Sequence, residues 1–380
     1  MKSSSKQVSG GRGSLMGPRV RSRVPGDLGR RRFHRILLIK PSSLGDVLHA
    51  VPVLHALRRR YPDAVVDWLV GSPYASLIEA NPAVNSVIPF DRATYGTLGR
   101  NWPATRDFIG FLADLRRRAY DLVIDLQGLF RSGFLSWATG AGTRIGFANA
   151  REAASVFYSH RVHVSDPNLH AVERNFLVAE RLDVEASPIE FRIPLPRAAR
   201  TFASGVLAGA GRPIVAFAPG ARWETKRWPA ERFVQTIERV HARAGGTAVL
   251  LGGSDERRLV DSIAADCKVP TANLAGRTTI PELAGVVEQS DVVVCHDSAV
   301  AHLAVSLDRP LVCIVGPTNP RRTGPYQRPH DVVSAEVACS PCYLRRMTQC
   351  GYDHACMSRI PAAHVVDAVM SRLLPSGVEG

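Results

Sequence analysis

The chain has 380 residues, of which 45% are hydrophobic and 22% are charged, proportions typical of a folded globular protein. Its length suits two domains better than one core. No apolar run approaches the roughly 20 residues that span a bilayer, and no apolar segment follows the basic N-terminus before Phe33. We therefore predict neither a membrane helix nor a secretory signal, and we expect a cytoplasmic protein.

The net charge of +14 is concentrated at the N-terminus. Residues 1–35 carry ten Lys and Arg against Asp27 alone, which leaves only +5 for the rest of the chain. This distribution argues against a nucleic-acid partner. We predict that residues 1–33 form a disordered basic arm. Such an arm either contacts anionic lipid headgroups or phosphates, as a peripheral membrane attachment, or has no role. In the second case it is an idle tail, or the start is placed too early and Met16 is the true start.

Strand-like and helix-like segments alternate after the arm, which predicts a parallel sheet covered by helices. Strands are predicted at 35–40, 65–70, 86–89 and 121–125, with helices at 45–60 and near 103–118. Prolines and glycines interrupt the pattern between 186 and 212, where we place an interdomain linker. The pattern then resumes, with strands at 214–218, 247–251, 291–295 and 311–315, and helices near 229–243, from 255, and at 361–374.

The predicted fold is α/β, with two doubly wound domains facing each other across a cleft. We place the first domain at 34–195, the second at 205–360, and a C-terminal helix and tail at 361–380. In such sheets, ligands bind beyond the carboxyl ends of the strands. The polar side chains that follow the strands are therefore the candidates for a functional site.

Asp46 follows the first strand, at the start of the first helix. A carboxylate there serves either as a helix-capping group or as a general base. Lys226 follows the strand at 214–218 and is either a solvated loop residue or a cation for a diphosphate. No P-loop motif and no G-x-G-x-x-G turn is present, which disfavours P-loop chemistry and an NAD-dependent oxidoreductase.

A third junction follows the strand at 291–295. The free amides of Ser298, Ala299 and Val300 at a helix start would bind an anion. Asp297 is either the N-cap of this helix or part of the site. His302, one turn further on the same side, is either a ligand-binding residue or a hydrogen-bonded core histidine.

Several motifs in a fixed order resemble those of the bacterial ADP-heptose:lipopolysaccharide heptosyltransferases, a glycosyltransferase family 9 group, and most nearly heptosyltransferase I. The resemblance spans about 35–360. The matching segments are 42–49, 121–129, 150–158, 170–174, 226–229, 297–302, 307–310 and 316–318.

The resemblance implies an inverting glycosyltransferase of GT-B architecture, with two Rossmann-like domains, that needs neither a metal nor another cofactor. It makes Asp46 the general base and Lys226 a ligand of the donor diphosphate. Glu256, or alternatively Asp255, would bind the ribose, and Thr278 would lie near the adenine. The diphosphate-sugar would be held by Asp297, by the amides of Ser298 to Val300, and by His302.

The implied donor is ADP-heptose, and the implied acceptor is the anionic, lipid-linked Kdo–lipid A of lipopolysaccharide biosynthesis. Arg131, Arg144 and Arg151, placed on loops after the late strands of the first domain, are candidate acceptor ligands because guanidinium groups suit carboxylates and phosphates. Each is alternatively an ordinary surface arginine.

Two features depart from heptosyltransferase I. Ala221 and Arg222 stand where that group has two hydroxyl residues, and a four-cysteine segment resembles other branches of the family. The alternative is therefore transfer of heptose or another sugar to a heptose or other cell-surface glycan. A non-catalytic nucleotide-binding module is disfavoured because Asp46 is present. The cysteines have one CxxC but not a second, so thiols are favoured over a zinc site; they are Cys339, Cys342, Cys350 and Cys356.

Overall fold

A computed structural model of the chain describes residues 27–97, 99–184 and 188–373. Its first domain is built on a sheet of six parallel strands in the order β3-β2-β1-β4-β5-β6. The strands are β1 Arg35–Ile39, β2 Val65–Gly71, β3 Ser86–Phe90, β4 Leu122–Asp125, β5 Thr143–Phe147 and β6 His160–Val162. The helices are α1 Leu44–Leu48, α2 Val51–Arg60, α3 Ala75–Ile78, α4 Trp102–Arg117, α5 Phe130–Ala138 and α6 Ala171–Glu180.

The second domain repeats this plan, with the parallel order β12-β11-β10-β7-β8-β9. Its strands are β7 Ile214–Ala218, β8 Thr247–Leu250, β9 Thr271–Asn273, β10 Val292–His296, β11 Leu311–Ile314 and β12 Val332–Val333. Its helices are α7 Arg197–Val206, α8 Ala230–Ala244, α9 Arg257–Asp266, α10 Ile280–Gln289, α11 Ala299–Ser306, α12 Pro320–Thr323, α13 Ala355–Ser358 and α14 Ala362–Leu373. Counted within its own domain, each sheet has the Rossmann strand order 3-2-1-4-5-6. The predicted α/β fold class is confirmed.

The central strands β1, β7, β10 and β11 are almost entirely apolar because helices cover both faces of each sheet. In β1, Ile36 and Leu38 pack into one core, while Leu37 and Ile39 pack into another on the opposite face. All four side chains are fully buried. Successive side chains of a strand point to opposite faces, so an unbroken apolar run marks a strand that is buried on both sides.

The helix predicted at 45–60 is divided into α1 and α2. Pro52 lies in the first turn of α2. A proline inside a continuous helix would remove a backbone donor and collide with the carbonyl of the residue four positions earlier, here Leu48. The chain therefore breaks at His49 and Ala50, and this break places the His49 side chain at the domain interface.

The packing modifies the predicted boundaries at three places. Leu28 and Phe33 are buried in the first core, so the part of the predicted arm that is described, from residue 27, packs on the domain. The rest of the arm lies outside the described residues. Helix α7, within the predicted linker, packs against α10, and α14 packs against α8, so both extend the second domain. In the described ranges, no helix has the length and apolarity needed to cross a membrane.

The strand order reverses once in each sheet. In the first sheet the reversal lies between β1 and β4, and in the second between β7 and β10. At such a point, the loops that follow the two strands turn to opposite faces and leave a crevice at the carboxyl edge. The junctions that carry Asp46, Lys226 and Asp297 all start from strands beside these two crevices.

Candidate active site

Asp46 lies in the first turn of α1, just beyond the carboxyl end of β1. Its Oδ2 atom accepts hydrogen bonds from the backbone N–H of Ser43, at 3.0 Å, and from the Ser43 hydroxyl, at 2.8 Å. Ser43 is the N-cap of α1, and the bond from its backbone N–H to Asp46 is one half of a capping box. The capping role is therefore present. It leaves 46% of the Asp46 side-chain surface accessible for a second role.

Lys40 forms an ion pair with Asp46. This buried lysine directly follows β1, and its Nζ donates a hydrogen bond to the Leu126 carbonyl after β4, at 3.0 Å. The same Nζ lies 3.7 Å from Asp46 Oδ1. Burial alone would raise the pKa of Asp46, but the Lys40 charge and the bonds from Ser43 outweigh it and hold that pKa below 3.8. Asp46 is thus ionised at neutral pH.

Asp297 and Lys226 form a buried ion pair in the second domain. Lys226 Nζ lies 2.8 Å from Asp297 Oδ2 and 2.8 Å from the Asp297 carbonyl oxygen. The hydroxyls of Thr318 and Thr323 also donate to Oδ2, at 2.7 and 3.0 Å. Only 15% of the Lys226 side chain is exposed, so the solvated-lysine interpretation is wrong. Lys226 and these bonds hold the pKa of Asp297 down, although burial opposes them.

The amino end of α11 lies beside this pair. Ser298, not Asp297, is the N-cap of α11, so the N-cap interpretation of Asp297 is wrong. The first amides of a helix have no acceptor within the helix, which leaves those of Ala299 and Val300 available to an anion. The Ser298 hydroxyl is buried and has no hydrogen-bond partner in the described structure. These donors directly follow Asp297, the partner of Lys226, along the chain.

Two further groups hold the Lys226 loop in place. The fully buried His296 ring accepts a hydrogen bond from the Trp228 amide at 2.9 Å and donates one to the Gly220 carbonyl at 3.2 Å. Thr225 bonds to the 339–356 segment, because its hydroxyl donates to the Leu344 carbonyl and its own carbonyl lies 2.7 Å from His354 Nε2. The cysteine-containing segment therefore braces the loop that carries Lys226.

Glu256 lies at the edge of the same crevice. Its carboxylate accepts a hydrogen bond from the Gly253 amide at 2.9 Å and packs against Gly220, where an added Cβ atom would come within 2.0 Å of it. Gly220 is thus required for this close approach. Asp255 is exposed, and Thr278 lies in the loop before α10. The binding roles predicted for these side chains remain predictions.

The two crevices meet where α1 packs against α11. The His302 ring lies so close to Gly45 that a Cβ atom there would come within 2.7 Å of its Cδ2 atom. His302 Nδ1 is 3.1 Å from His49 Nε2, and His302 Nε2 is 4.0 Å from Asp297 Oδ1. The imidazole therefore connects the two domains. Burial lowers the pKa of His302 to about 4, so the ring is neutral at physiological pH.

The three candidate acceptor arginines differ in their surroundings. Arg131 lies in α5 and Arg144 in β5, not on the predicted loops, whereas Arg151 does lie on a loop. The Arg144 guanidinium donates to the Phe157 carbonyl at 2.8 Å and to the Ala141 carbonyl, contacts that hold its own domain together. Arg151 is exposed. Burial, and then the charges of Arg322 and Arg151, lower the pKa of Arg174, whereas the Asp46 charge raises it. Arg151 and Arg174 bring positive charge toward the Asp46 side of the cleft.

Sequence reasoning assigned no role to Lys40, His49, His170 or His296. Lys40 directly follows β1, and His296 is the last residue of β10. Polar side chains at the carboxyl ends of such strands line the crevice. The contact between His49 and His302 joins residues 253 positions apart, which no local pattern reveals. His170, in a segment that carried the family resemblance, places Nε2 at 3.1 Å from the Gly324 carbonyl of the other domain.

The four late cysteines are unpaired thiols, and burial raises the pKa of Cys356 to about 11. Neighbouring cysteine thiols at 339, 342 and 350 add to this shift. No group of three or more His, Cys, Asp or Glu within the described ranges is arranged as a metal site.

Comparison with known proteins places this geometry in a family. The profile of Glycosyltransferase family 9 (heptosyltransferase) matches residues 110–352, well over half of the chain. Lipopolysaccharide heptosyltransferase 1 of Pseudomonas aeruginosa is 32% identical over 323 residues, covering 83% of this chain and 87% of the relative. Lipopolysaccharide heptosyltransferase 3 of Escherichia coli is 30% identical over 350 residues, covering 88% and 98%.

Solved structures agree in fold. Heptosyltransferase WaaC of E. coli, solved with ADP, superposes with a TM-score of 0.72 at 26% identity, covering 89% of this chain and 99% of that chain. A glycosyl transferase of family 9 from Veillonella parvula gives a TM-score of 0.76 at 23% identity, with 90% and 97% covered. Sequence and structure thus lead to the same conclusion: the chain belongs to glycosyltransferase family 9, the heptosyltransferase family, and is a glycosyltransferase of GT-B architecture.

Proposed function

We propose that this chain transfers a heptose from ADP-heptose to Kdo–lipid A, with inversion at the anomeric carbon, in the synthesis of the lipopolysaccharide core. The observation that carries the proposal is the opposition of two groups across one cleft. The Asp46 carboxylate lies on the first domain, and the Lys226–Asp297 pair with the start of α11 lies on the second. The contact between Gly45 and His302 holds these groups together.

The donor half of the proposal rests on the second domain. A diphosphate beside α11 would accept hydrogen bonds from the amides of Ala299 and Val300 and from the unpartnered Ser298 hydroxyl. Lys226 already donates to two oxygens of Asp297, and an ammonium group has three protons, so one remains for a phosphate oxygen. Glu256 and Thr278 are proposed for the ribose and the adenine.

Asp297 is proposed to orient the sugar. Its Oδ2 atom accepts three hydrogen bonds from Lys226, Thr318 and Thr323. Its Oδ1 atom faces His302 Nε2 across 4.0 Å, a gap too long for a direct hydrogen bond. A sugar hydroxyl placed there would donate to Oδ1 and accept a bond from the imidazole.

The proposed reaction is a single displacement. The acceptor hydroxyl attacks the anomeric carbon from the side of the first domain, while Asp46 takes its proton. The bond to the diphosphate oxygen breaks on the opposite side, and Lys226 and the amides of α11 stabilise the negative charge that develops on the departing diphosphate. Attack opposite to departure produces inversion. ADP leaves as the second product, and this proposal requires no metal ion.

The acceptor half rests on positive charge near Asp46. Kdo carries a carboxylate, and lipid A carries phosphates, so guanidinium groups are suitable ligands. Arg174 interacts electrostatically with Asp46, and Arg151 interacts with Arg174. Both are therefore proposed to attract an anionic acceptor to this side of the cleft. Arg131, exposed on α5, is retained as a peripheral candidate, whereas the carbonyl contacts of Arg144 favour a structural role.

Membrane attachment is proposed for the basic arm. The first 26 residues carry six Lys and Arg and no Asp or Glu. An anionic bilayer attracts basic residues by about 1 kcal/mol each near its surface. A cytoplasmic enzyme with a lipid-linked acceptor would benefit from such reversible contact with the inner face of the inner membrane.

The proposed function is tested with purified protein and a matrix of substrates. ADP-heptose, ADP-glucose and a UDP-sugar are each incubated with deacylated Kdo–lipid A or with a heptose-bearing core acceptor. Mass spectrometry then identifies products. We expect a heptose added to Kdo, at a rate that Asp46→Asn reduces by about 10²-fold or more. Absence of product from every ADP-heptose pair would refute the proposal.

Transfer to a heptose is the second candidate. It is favoured by one observation, the 30% identity to lipopolysaccharide heptosyltransferase 3 over 98% of that relative. The substrate matrix separates the two candidates, because product formed only on the heptose-bearing acceptor would identify the second.

A further inference from the structure

The buried contact between His49 and His302 fixes more than the position of a ring. Their Nε2 and Nδ1 atoms are 3.1 Å apart, with ring centroids 4.2 Å apart and planes at 68°. Both side chains are buried. Burial is the largest cause of the low pKa of each ring, so both are neutral and share a single hydrogen-bonding proton between these two nitrogens.

That proton has two possible positions. If His302 carries it on Nδ1, His302 Nε2 is a bare lone pair facing the Asp297 carboxylate at 4.0 Å. His49 must then be protonated on Nδ1, an atom that is buried and has no hydrogen-bond partner in the described part of the chain. This arrangement combines a repulsive contact with a buried, unsatisfied N–H donor, which is costly.

The other position avoids both costs. His49 carries the proton on Nε2 and donates it to His302 Nδ1, so the neutral His302 ring must carry its own proton on Nε2. The unpartnered His49 Nδ1 atom then carries a lone pair, so no buried N–H donor is left without an acceptor, and the His302 Nε2–H group faces Asp297.

We propose that His49 is a positioning residue, which holds His302 in the tautomer whose Nε2–H donates a hydrogen bond to the bound nucleotide sugar. This inference rests on the proposed donor role of His302. It adds the direction of that hydrogen bond and the residue that sets it. Without the bond from His49, only the Asp297 carboxylate, 4.0 Å away and beyond hydrogen-bond distance, favours the proton on His302 Nε2, and part of the population presents a lone pair to the donor.

The surroundings of His49 hold its ring in this orientation. Its backbone carbonyl accepts a hydrogen bond from Asn175 at 3.0 Å. Its ring packs edge to face with His170 and Phe191, at centroid distances of 5.3 and 6.1 Å. His170 in turn bonds to the second domain through Gly324. The first domain therefore supplies a fixed donor to a histidine of the second.

Two variants of His49 separate positioning from packing. His49→Gln keeps an N–H donor near the place of Nε2, whereas His49→Leu fills similar space without one. We expect His49→Leu to lower kcat/KM for the nucleotide sugar by about tenfold, the scale of one buried hydrogen bond, and His49→Gln to lower it by about twofold at most. Urea unfolding of each variant shows whether it is folded.

The tautomer itself is measured by NMR on protein labelled with ¹⁵N in the histidine rings, with the His302 signals assigned by their loss in His302→Gln. We expect a protonated Nε2 and an unprotonated Nδ1 in the wild type and in His49→Gln, and a mixture in His49→Leu. In the His302→Gln background, His49→Leu should cause no further loss of activity.

A wild-type spectrum with the His302 proton on Nδ1 would overturn the inference, and this measurement needs no His49 variant. Equal losses in folded His49→Leu and His49→Gln would also overturn it. The spectrum does not depend on sugar transfer, so a wrong tautomer and a wrong proposed substrate give different results.

Discussion

Gly45 is the residue at which the two halves of the site press most closely together, so Gly45→Ala tests the assembly directly. The added Cβ atom would lie 2.7 Å from His302 Cδ2, about 0.8 Å short of the roughly 3.5 Å at which carbon atoms pack. His302 is buried and bonded to His49, so its ring has no room to move away. Relief must come from α1 moving away from α11.

Two opposing terms set the size of the effect on stability. Overpacking of this kind costs roughly 1–3 kcal/mol. Alanine in place of glycine in a helix returns about 1 kcal/mol. We therefore expect a net loss of about 0–2 kcal/mol in the free energy of unfolding. The effect on turnover should be larger, because α1 carries Asp46, and a misplacement of about 1 Å at a reacting group can cost about 10²-fold.

Gly110→Ala is the matched control. Gly110 lies in α4, is exposed, and an added Cβ atom there meets nothing within 4 Å. We expect this variant to be up to about 1 kcal/mol more stable than the wild type, with unchanged turnover. Urea unfolding and initial rates are measured on both variants. If Gly45→Ala matches Gly110→Ala in stability and rate, the close contact between the domains does not support the active site.

Four other predictions follow from the site and the sequence. Asp46→Asn should reduce turnover by about 10²-fold or more with donor affinity near wild type by calorimetry, whereas a half-normal rate would leave Asp46 as a cap only. Saturating EDTA should not reduce the initial rate, and an absolute need for Mg²⁺ or Mn²⁺ would refute the roles of Lys226 and α11. Between pH 7 and pH 5 the free energy of unfolding should fall by about a few kcal/mol. The reason is that His296 and His302, with pKa values of about 4, stay neutral in the folded protein, while unfolded histidines bind protons below about pH 6.5. Equal urea midpoints at the two pH values would contradict this. Deleting residues 1–26, which spares the buried Leu28 and Phe33, should leave transfer to a deacylated acceptor unchanged and weaken binding to anionic vesicles in a salt-dependent way. Equal vesicle binding at low salt would show an idle tail.

The strands that carry the site were predictable because a sheet buried on both faces leaves continuous apolar runs. The strand at 214–218 was predicted with the limits that the structure has, and β1 differs by one residue. The rule that ligands bind beyond the carboxyl ends then selected the loops of Asp46, Lys226 and Asp297. Each of these three residues follows a strand next to a switch point.

Weaker patterns failed where tertiary contacts decide the structure. Arg144 lies in β5, a short strand whose sequence includes Gly146, and no strand was predicted there. Gly146 is needed because the Tyr158 ring lies where its Cβ atom would be. Phe33 was assigned to the arm because the residues around it are basic, yet its ring packs against Tyr61. Contacts between distant residues decided both cases.

The low pKa of Asp46 limits how this residue can act as a base. A carboxylate with a pKa below 3.8 cannot remove the proton from an alcohol, whose pKa is near that of water at about 15.7, before the new bond begins to form. The hydroxyl oxygen becomes strongly acidic only as it bonds to the anomeric carbon, so proton transfer must accompany attack.

Bond formation in turn requires the diphosphate to be leaving, which assigns most of the barrier reduction to Lys226 and the amides of α11. Loss of Lys226 should therefore slow transfer more than loss of Asp46 does. Lys226→Met and Asp46→Asn, compared at saturating donor, test this order. A larger rate loss in Asp46→Asn than in a folded Lys226→Met would mean that proton removal, and not departure of the diphosphate, dominates the barrier.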